Sequence, residues 1–212
     1  MIFSNEVLDY YIGCTKEESD IMCKTLKEIM GKKPEEILKM AGQEDCVPVN
    51  VSAILKKLRI SEIEMDFSEI EQQLVTQVNE KGAISGMVLL SGDNVGIFYN
   101  VKDGLNRQRF TVAHELAHCC LNGDELVDNH IEFRHESTSE DEREIAANTY
   151  AGQLLIPEKS LKRVYEQLTV PVVDSLAKLF QVSIAVMKER LRVLHMDYFD
   201  TELNRMVVFG ED

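Results

Sequence analysis

Arg107-Gln-Arg-Phe-Thr-Val-Ala-His114-Glu115-Leu-Ala-His118-Cys-Cys-Leu121 places two histidines four residues apart, with a glutamate directly after the first. In a helix, His114 and His118 stand one turn apart on one face, separated by about 6 Å of rise, so both rings reach one tetrahedral zinc. Glu115 then projects beside the metal instead of onto it. There it can take a proton from an attacking water and pass it to a leaving amine. The spacing predicts a helix. Asn106 is placed to cap its start, Phe110, Ala113, Ala117, Cys120 and Leu121 recur at helical intervals, and Asn122-Gly123 ends the run. The competing reading is two histidines making ordinary hydrogen bonds on an amphipathic helix.

A zinc of this kind needs a third protein ligand and an open fourth position. Downstream, Ser139-Glu-Asp-Glu142 reads as a capping box with acids in the first turn of a helix that Pro157 cannot continue. Glu144, Asn148, Ala151 and Leu155 share one face of that helix. Glu144 is therefore the candidate third ligand, and small residues let the two helices approach. Glu140, Asp141 and Glu142 compete for that role from the same first turn, where acids also serve the helix N-terminus. Asn148, one turn after Glu144, is placed to orient a ligand. Cys119 and Cys120 follow His118 directly but are out of helical phase with the histidine pair, and they read as core packing.

These residues carry a resemblance. Arg109-Phe-Thr-Val-Ala-His114-Glu115-Leu-Ala-His118, then Glu144, Asn148 and Leu154-Leu-Ile-Pro157 at matching intervals, resemble the ImmA/IrrE family of bacterial metallopeptidases over about Ile84 to Pro157. The resemblance implies that His114, His118 and Glu144 bind the metal and that Glu115 is catalytic. It also implies a substrate class, a helix-turn-helix repressor that is cut or otherwise disabled, switching on mobile-element or stress-response genes.

The whole chain is compatible with that expectation. Its 212 residues, 44% apolar and 28% charged, suit one domain or two small ones with a substantial core. No apolar run is long enough to span a membrane, and Met1-Ile-Phe-Ser-Asn-Glu-Val-Leu-Asp9 lacks a signal-peptide pattern, so the expected location is cytoplasmic and no membrane partner is expected. Five cysteines with no C-x-x-C pair fit reduced thiols. A net charge of -14 opposes broad binding to nucleic acid. Residues 120–150 carry a local balance of -7 and residues 158–192 one of +3. An acidic rim beside the site would suit a basic partner such as a DNA-binding protein; a solvated loop and helix start would carry the same charges.

Residues 1–45 read as a helical extension. Thr15-Lys-Glu-Glu18 forms a capping box, Ile21, Met22, Leu26, Ile29 and Met30 an apolar stripe, Gly31 a stop, and Pro34 a second start. Val49 to Leu58 reads as a helix and Ile60 to Phe67 as a half-buried strand. Met87–Leu90 and Val95–Tyr99 read as a hairpin, either strand of which can be the sheet edge that holds an extended peptide. Candidates for stabilising an oxyanion are Asn148, Tyr150, Tyr99, His130 and His135, with no sequence basis for choosing among them. After Pro157, Val173 to Leu194 reads as helix, turn, helix, with Ser183 as a cap and Lys188, Arg190 and Arg192 on the second helix. The start of that helix, Ile184-Ala-Val-Met187, is poor for base readout, so a packing or docking module is expected in place of a DNA reader. A terminal strand is expected near Met206–Phe209.

The sequence thus predicts an α+β chain, a mostly helical zincin-like core with a small antiparallel sheet. Its expected divisions are an N-terminal helical extension over 1–45, a zinc peptidase core over 46–157, and a helix-turn-helix-like region over 158–212. Zinc is the expected cofactor, although two imidazoles and a carboxylate also suit manganese or iron(II). The expected activity is site-specific cleavage of a helix-turn-helix repressor. The alternative is a metal-stabilised antirepressor that sequesters its partner without proteolysis.

Overall fold

In the computed structural model, residues 24–68, 84–91, 94–124, 126 and 142–210 are described. Three short helices come first, each beginning or ending where the sequence dictates. In α1 (Lys24–Ile29), Leu26 and Ile29 are buried, and Gly31 follows with φ 71°. α2 (Pro34–Ala41) opens on proline, whose missing N–H costs nothing there, and closes on left-handed Gly42. α3 (Val51–Leu58) is capped by Asn50, whose Oδ1 accepts from the Ala53 amide at 3.0 Å. The Thr15–Glu18 capping box, with Ile21 and Met22, lies outside the described residues.

The sheet departs from expectation in one respect. Its strands are β1 (Ile60–Met65), β2 (Gly86–Ser91) and β3 (Asn94–Asn100), in the order β1-β3-β2. β2 and β3 are antiparallel as predicted, but β1 runs parallel to β3, with Ile60 opposite Val95 and Met65 opposite Asn100. The sheet is mixed, not antiparallel. Residues 66–85 separate β1 from β2 in the sequence, more than a hairpin turn holds, so β1 is not bound to pair antiparallel with the strand that follows it. β3 is therefore central, and β2 is an edge among the described residues.

Beneath the sheet lies α4 (Leu105–Leu121), in which every residue from Thr111 to Cys120 is buried. Gly104, not Asn106, occupies its N-cap position. Asn106 sits inside the first turn, and its amide reaches out to the Val182 carbonyl at 3.1 Å. A side chain already past the cap cannot satisfy the first free N–H groups, so it serves a long-range tie instead. α5 (Glu142–Leu155) packs on α4, with Ala113 and Ala117 of one helix and Ala147 and Ala151 of the other fully buried. The start of the predicted capping box, Ser139, lies outside the described residues.

Pro157 ends α5 as expected, and α6 (Glu158–Tyr165) follows. α7 (Val173–Phe180) and α8 (Ile184–Val193) succeed one another through a short turn in which Gln181 has φ 53° and Ser183 accepts from the Val186 amide. The chain ends in the hairpin β4 (Tyr198–Asp200) and β5 (Arg205–Val207), two strands where one was expected. One apolar core runs from Leu26 through Ile97, Leu116 and Leu154 to Leu191 and Tyr198. About half of the described residues are helical, so the chain is α+β with a small sheet.

Candidate metal centre

Helix α4 is unusual in having ionisable side chains in its buried middle. His114 is 0% exposed, and Glu115 and His118 are each 2% exposed. Burying such groups is unfavourable unless they are met by partners. The partner comes from the first turn of α5. Glu144 lies 3.3 Å from His114 Nε2 through Oε2 and 3.2 Å from His118 Nε2 through Oε1. The two Nε2 atoms are themselves 2.8 Å apart. Donor atoms of these three residues all fall within 4.8 Å of one another, and no other such group occurs among the described residues.

The donor set fits a metal. Ligands held about 2.0–2.1 Å from a tetrahedral ion stand about 3.3 Å from each other. Both imidazole–carboxylate separations match that value, whereas the two rings must spread by roughly half an ångström to admit an ion. The remaining nitrogen of His114 is also committed, since Nδ1 meets Asn148 Oδ1 at 3.0 Å. An amide oxygen can only accept, so Nδ1 carries the proton and Nε2 presents its lone pair to the metal position. The two imidazoles beside it, His114's first, hold the Glu144 carboxyl far below the usual carboxylate range against the opposing effect of burial, so it stands as the anion that a cation would meet.

Glu115 is not part of the converging set. It lies beside the N-terminal end of the edge strand β2, where its Oε1 is 3.1 Å from the place a Cβ at Gly86 would take. The same Cβ would stand 2.3 Å from Thr111 Cγ2 and 2.9 Å from the Phe98 carbonyl, so only glycine fits there. The adjoining Ser85 hydroxyl accepts from Arg107 Nη2 at 2.8 Å and Nε at 3.1 Å, pinning the strand to the first turn of α4. Gly86 and the Ser85–Arg107 pair were not singled out in the sequence. No short-range pattern marks a glycine that faces a residue 29 positions away.

The structure brings together His114, His118, Glu144 and Asn148, with Glu115 alongside. The other described candidates are engaged elsewhere. The Tyr150 hydroxyl donates to the Lys32 carbonyl at 2.9 Å, and burial pushes its pKa well up, so it is spent on structure. Tyr99 lines a different cavity with Glu62, Leu105 and Arg109, and burial raises its pKa too. Cys119 and Cys120 are buried in the core, and burial pushes the Cys120 thiol up to about 11. Glu142 is exposed at the first position of α5. His130, His135, Glu140 and Asp141 lie outside the described residues.

Two histidines one helical turn apart, a glutamate after the first, and a third ligand from a neighbouring helix define a metal centre of the H-E-x-x-H metallopeptidase class. The sequence profile of the M78 peptidases, described as the IrrE N-terminal-like domain, matches residues 73–192, more than half of the chain, and the protein belongs to that family. The match extends beyond Ile84 and Pro157 on both sides. No curated protein matches the chain. Among the described residues, no helix is long and apolar enough to cross a membrane.

Proposed function

We propose that the protein is a zinc-dependent, site-specific endopeptidase whose substrate is a helix-turn-helix transcriptional repressor, and that cleavage derepresses mobile-element or stress-response genes. The observation that carries the reading is the convergence of His114, His118 and Glu144 beside Glu115, at the start of an edge strand. A divalent metal held there supplies Lewis acidity toward a peptide carbonyl and lowers the pKa of a water. His114 and His118 hold their lone pairs inward, and Asn148 fixes the His114 tautomer. Glu115 accepts the proton of the attacking water and returns it to the leaving amine. The edge that β2 presents among the described residues aligns the peptide as an added strand.

The acidic balance of residues 120–150 supports a basic partner. Binding of DNA by α8 finds no such support. Lys188 pairs with Asp200 at 2.7 Å, Arg192 pairs with Glu189 at 2.6 Å, and Arg190 Nε is buried against the Ile156 carbonyl at 3.0 Å.

One observation favours a second reading. With His114, Glu115 and His118 almost wholly buried, a metal there can serve the fold alone while the protein sequesters its repressor without cutting it. Intact-mass spectrometry separates the two. The zinc-loaded protein is incubated with the helix-turn-helix repressor encoded nearest its own gene, with Glu115→Gln as control. Discrete fragments with the wild type alone are expected. A stable complex with both proteins and no fragments would establish sequestration.

A further inference from the structure

Thr111 stands in the fully buried middle of α4, 0% exposed, and among the described residues its Oγ1 has no hydrogen-bond partner. Shutting a hydroxyl away from water without a partner is unfavourable. A threonine inside a helix has a ready remedy, since its hydroxyl can turn back to the carbonyl four residues earlier. Thr149 of α5 takes it, donating to the Ile145 carbonyl at 2.8 Å. The equivalent bond from Thr111 would end on the Arg107 carbonyl, and it is not made.

Packing does not explain the hydroxyl either. The atom of Thr111 that bears on the start of β2 is its methyl, with Cγ2 2.3 Å from the place a Cβ at Gly86 would take. Valine, close to threonine in volume, would fill that contact without burying a polar atom. Glu115 bears on the same point, with Oε1 3.1 Å from it, and is itself only 2% exposed. Thr111 precedes Glu115 by four residues, so the two side chains lie one above the other on one face of α4. A buried donor that the fold does not use thus stands one turn from a buried carboxylate.

We propose that Thr111 is the positioning residue of Glu115. Its hydroxyl donates to one carboxylate oxygen when a ligand at the metal centre draws that side chain into place, and the other oxygen is left to take the proton of the attacking water. Hydrogen bonds of this kind are loose in the free protein and tighten in the complex. Thr111 keeps its own proton throughout; the proton that moves goes from water to Glu115 and on to the leaving amine. The inference rests on the peptidase reading.

Thr111→Val and Thr111→Ser in the zinc-loaded full chain test it, with acetohydroxamate as the probe and calorimetric titration as a readout independent of turnover. Thr111→Val should unfold at the same denaturant concentration as the wild type or a higher one, since the deleted hydroxyl had no partner to lose, and should keep its metal. It should nevertheless bind acetohydroxamate roughly ten- to a hundredfold more weakly, the worth of a hydrogen bond to a charged group. Thr111→Ser, which restores the hydroxyl without the methyl, should bind within about threefold of the wild type. In a Glu115→Gln background, where no charge remains to be held, Thr111→Val should change the affinity by less than about threefold. Wild-type affinity in Thr111→Val, an equal loss in Thr111→Ser, or a Thr111→Val chain that unfolds more easily would overturn the proposal and leave the peptidase reading standing. No binding by the wild type, or binding as tight by Glu115→Gln alone, would overturn both.

Discussion

Helix α4 and the pair α7–α8 are built by opposite rules. In α7 the buried residues are Val173, Leu176, Ala177 and Phe180, an apolar stripe at helical spacing, and the polar side faces water. α8 likewise buries Met187 and Leu191 and sets its bases in ion pairs or against a backbone carbonyl. α4 is instead buried all round from Thr111 to Cys120, with two histidines and a glutamate inside. The first arrangement is what stability alone selects. The second is unfavourable for stability by itself and holds because Glu144 and Asn148 meet the imidazoles. The difference sets α4 apart as the helix that carries the candidate ligands and leaves α7 and α8 with the burial pattern of packing helices.

That division is open to attack by substitution. The largest effect is expected from Glu115→Gln, which should lower the cleavage rate roughly a hundred- to ten-thousandfold. Metal content and circular dichroism should match the wild type; a loss of metal in this variant would make Glu115 a ligand and break the assignment of roles. Asn148→Ala removes the acceptor for His114 Nδ1 and should weaken metal affinity about 10–100-fold, read by competition with a chromophoric chelator. An unchanged affinity would mean that the His114 ring is oriented by packing alone.

Gly86→Ala should cost about 1–3 kcal/mol in denaturant unfolding, because the added methyl meets Thr111, the Phe98 carbonyl and Glu115 with nowhere to move. It should also depress cleavage beyond the loss of folded protein. A neutral variant would show that β2 does not press on Glu115. The smallest effect belongs to the supporting side. Ser183→Ala deletes the cap of α8 and should cost about 1 kcal/mol, with metal affinity within error of the wild type. A change in metal affinity there would couple the two regions and dissolve the distinction.

The same contrast explains what was legible in the sequence. The convergence of His114, His118 and Glu144 was, because they lie on two helices whose phase is written in residues a turn apart. The helix limits at Pro34, Pro157 and Ser183 were too, since caps and stops are local chemistry. What failed was long-range. Asn106 has a capping residue's side chain but reaches Val182, 76 positions on. The direction of β1 against β3 depends on the path of a connection, which alternation of apolar residues does not encode. The place of Gly86 beside Glu115 exists only once three elements meet.

X-ray absorption at the zinc edge of the zinc-loaded chain, with metal content per chain, tests the central claim most directly. The account predicts one zinc per chain, nitrogen and oxygen neighbours at about 2.0–2.1 Å, outer-shell scattering from two imidazoles, and loss of the ion in Glu144→Ala. A sulfur neighbour at about 2.3 Å, which would bring a cysteine into the site, or full occupancy in Glu144→Ala, would contradict it.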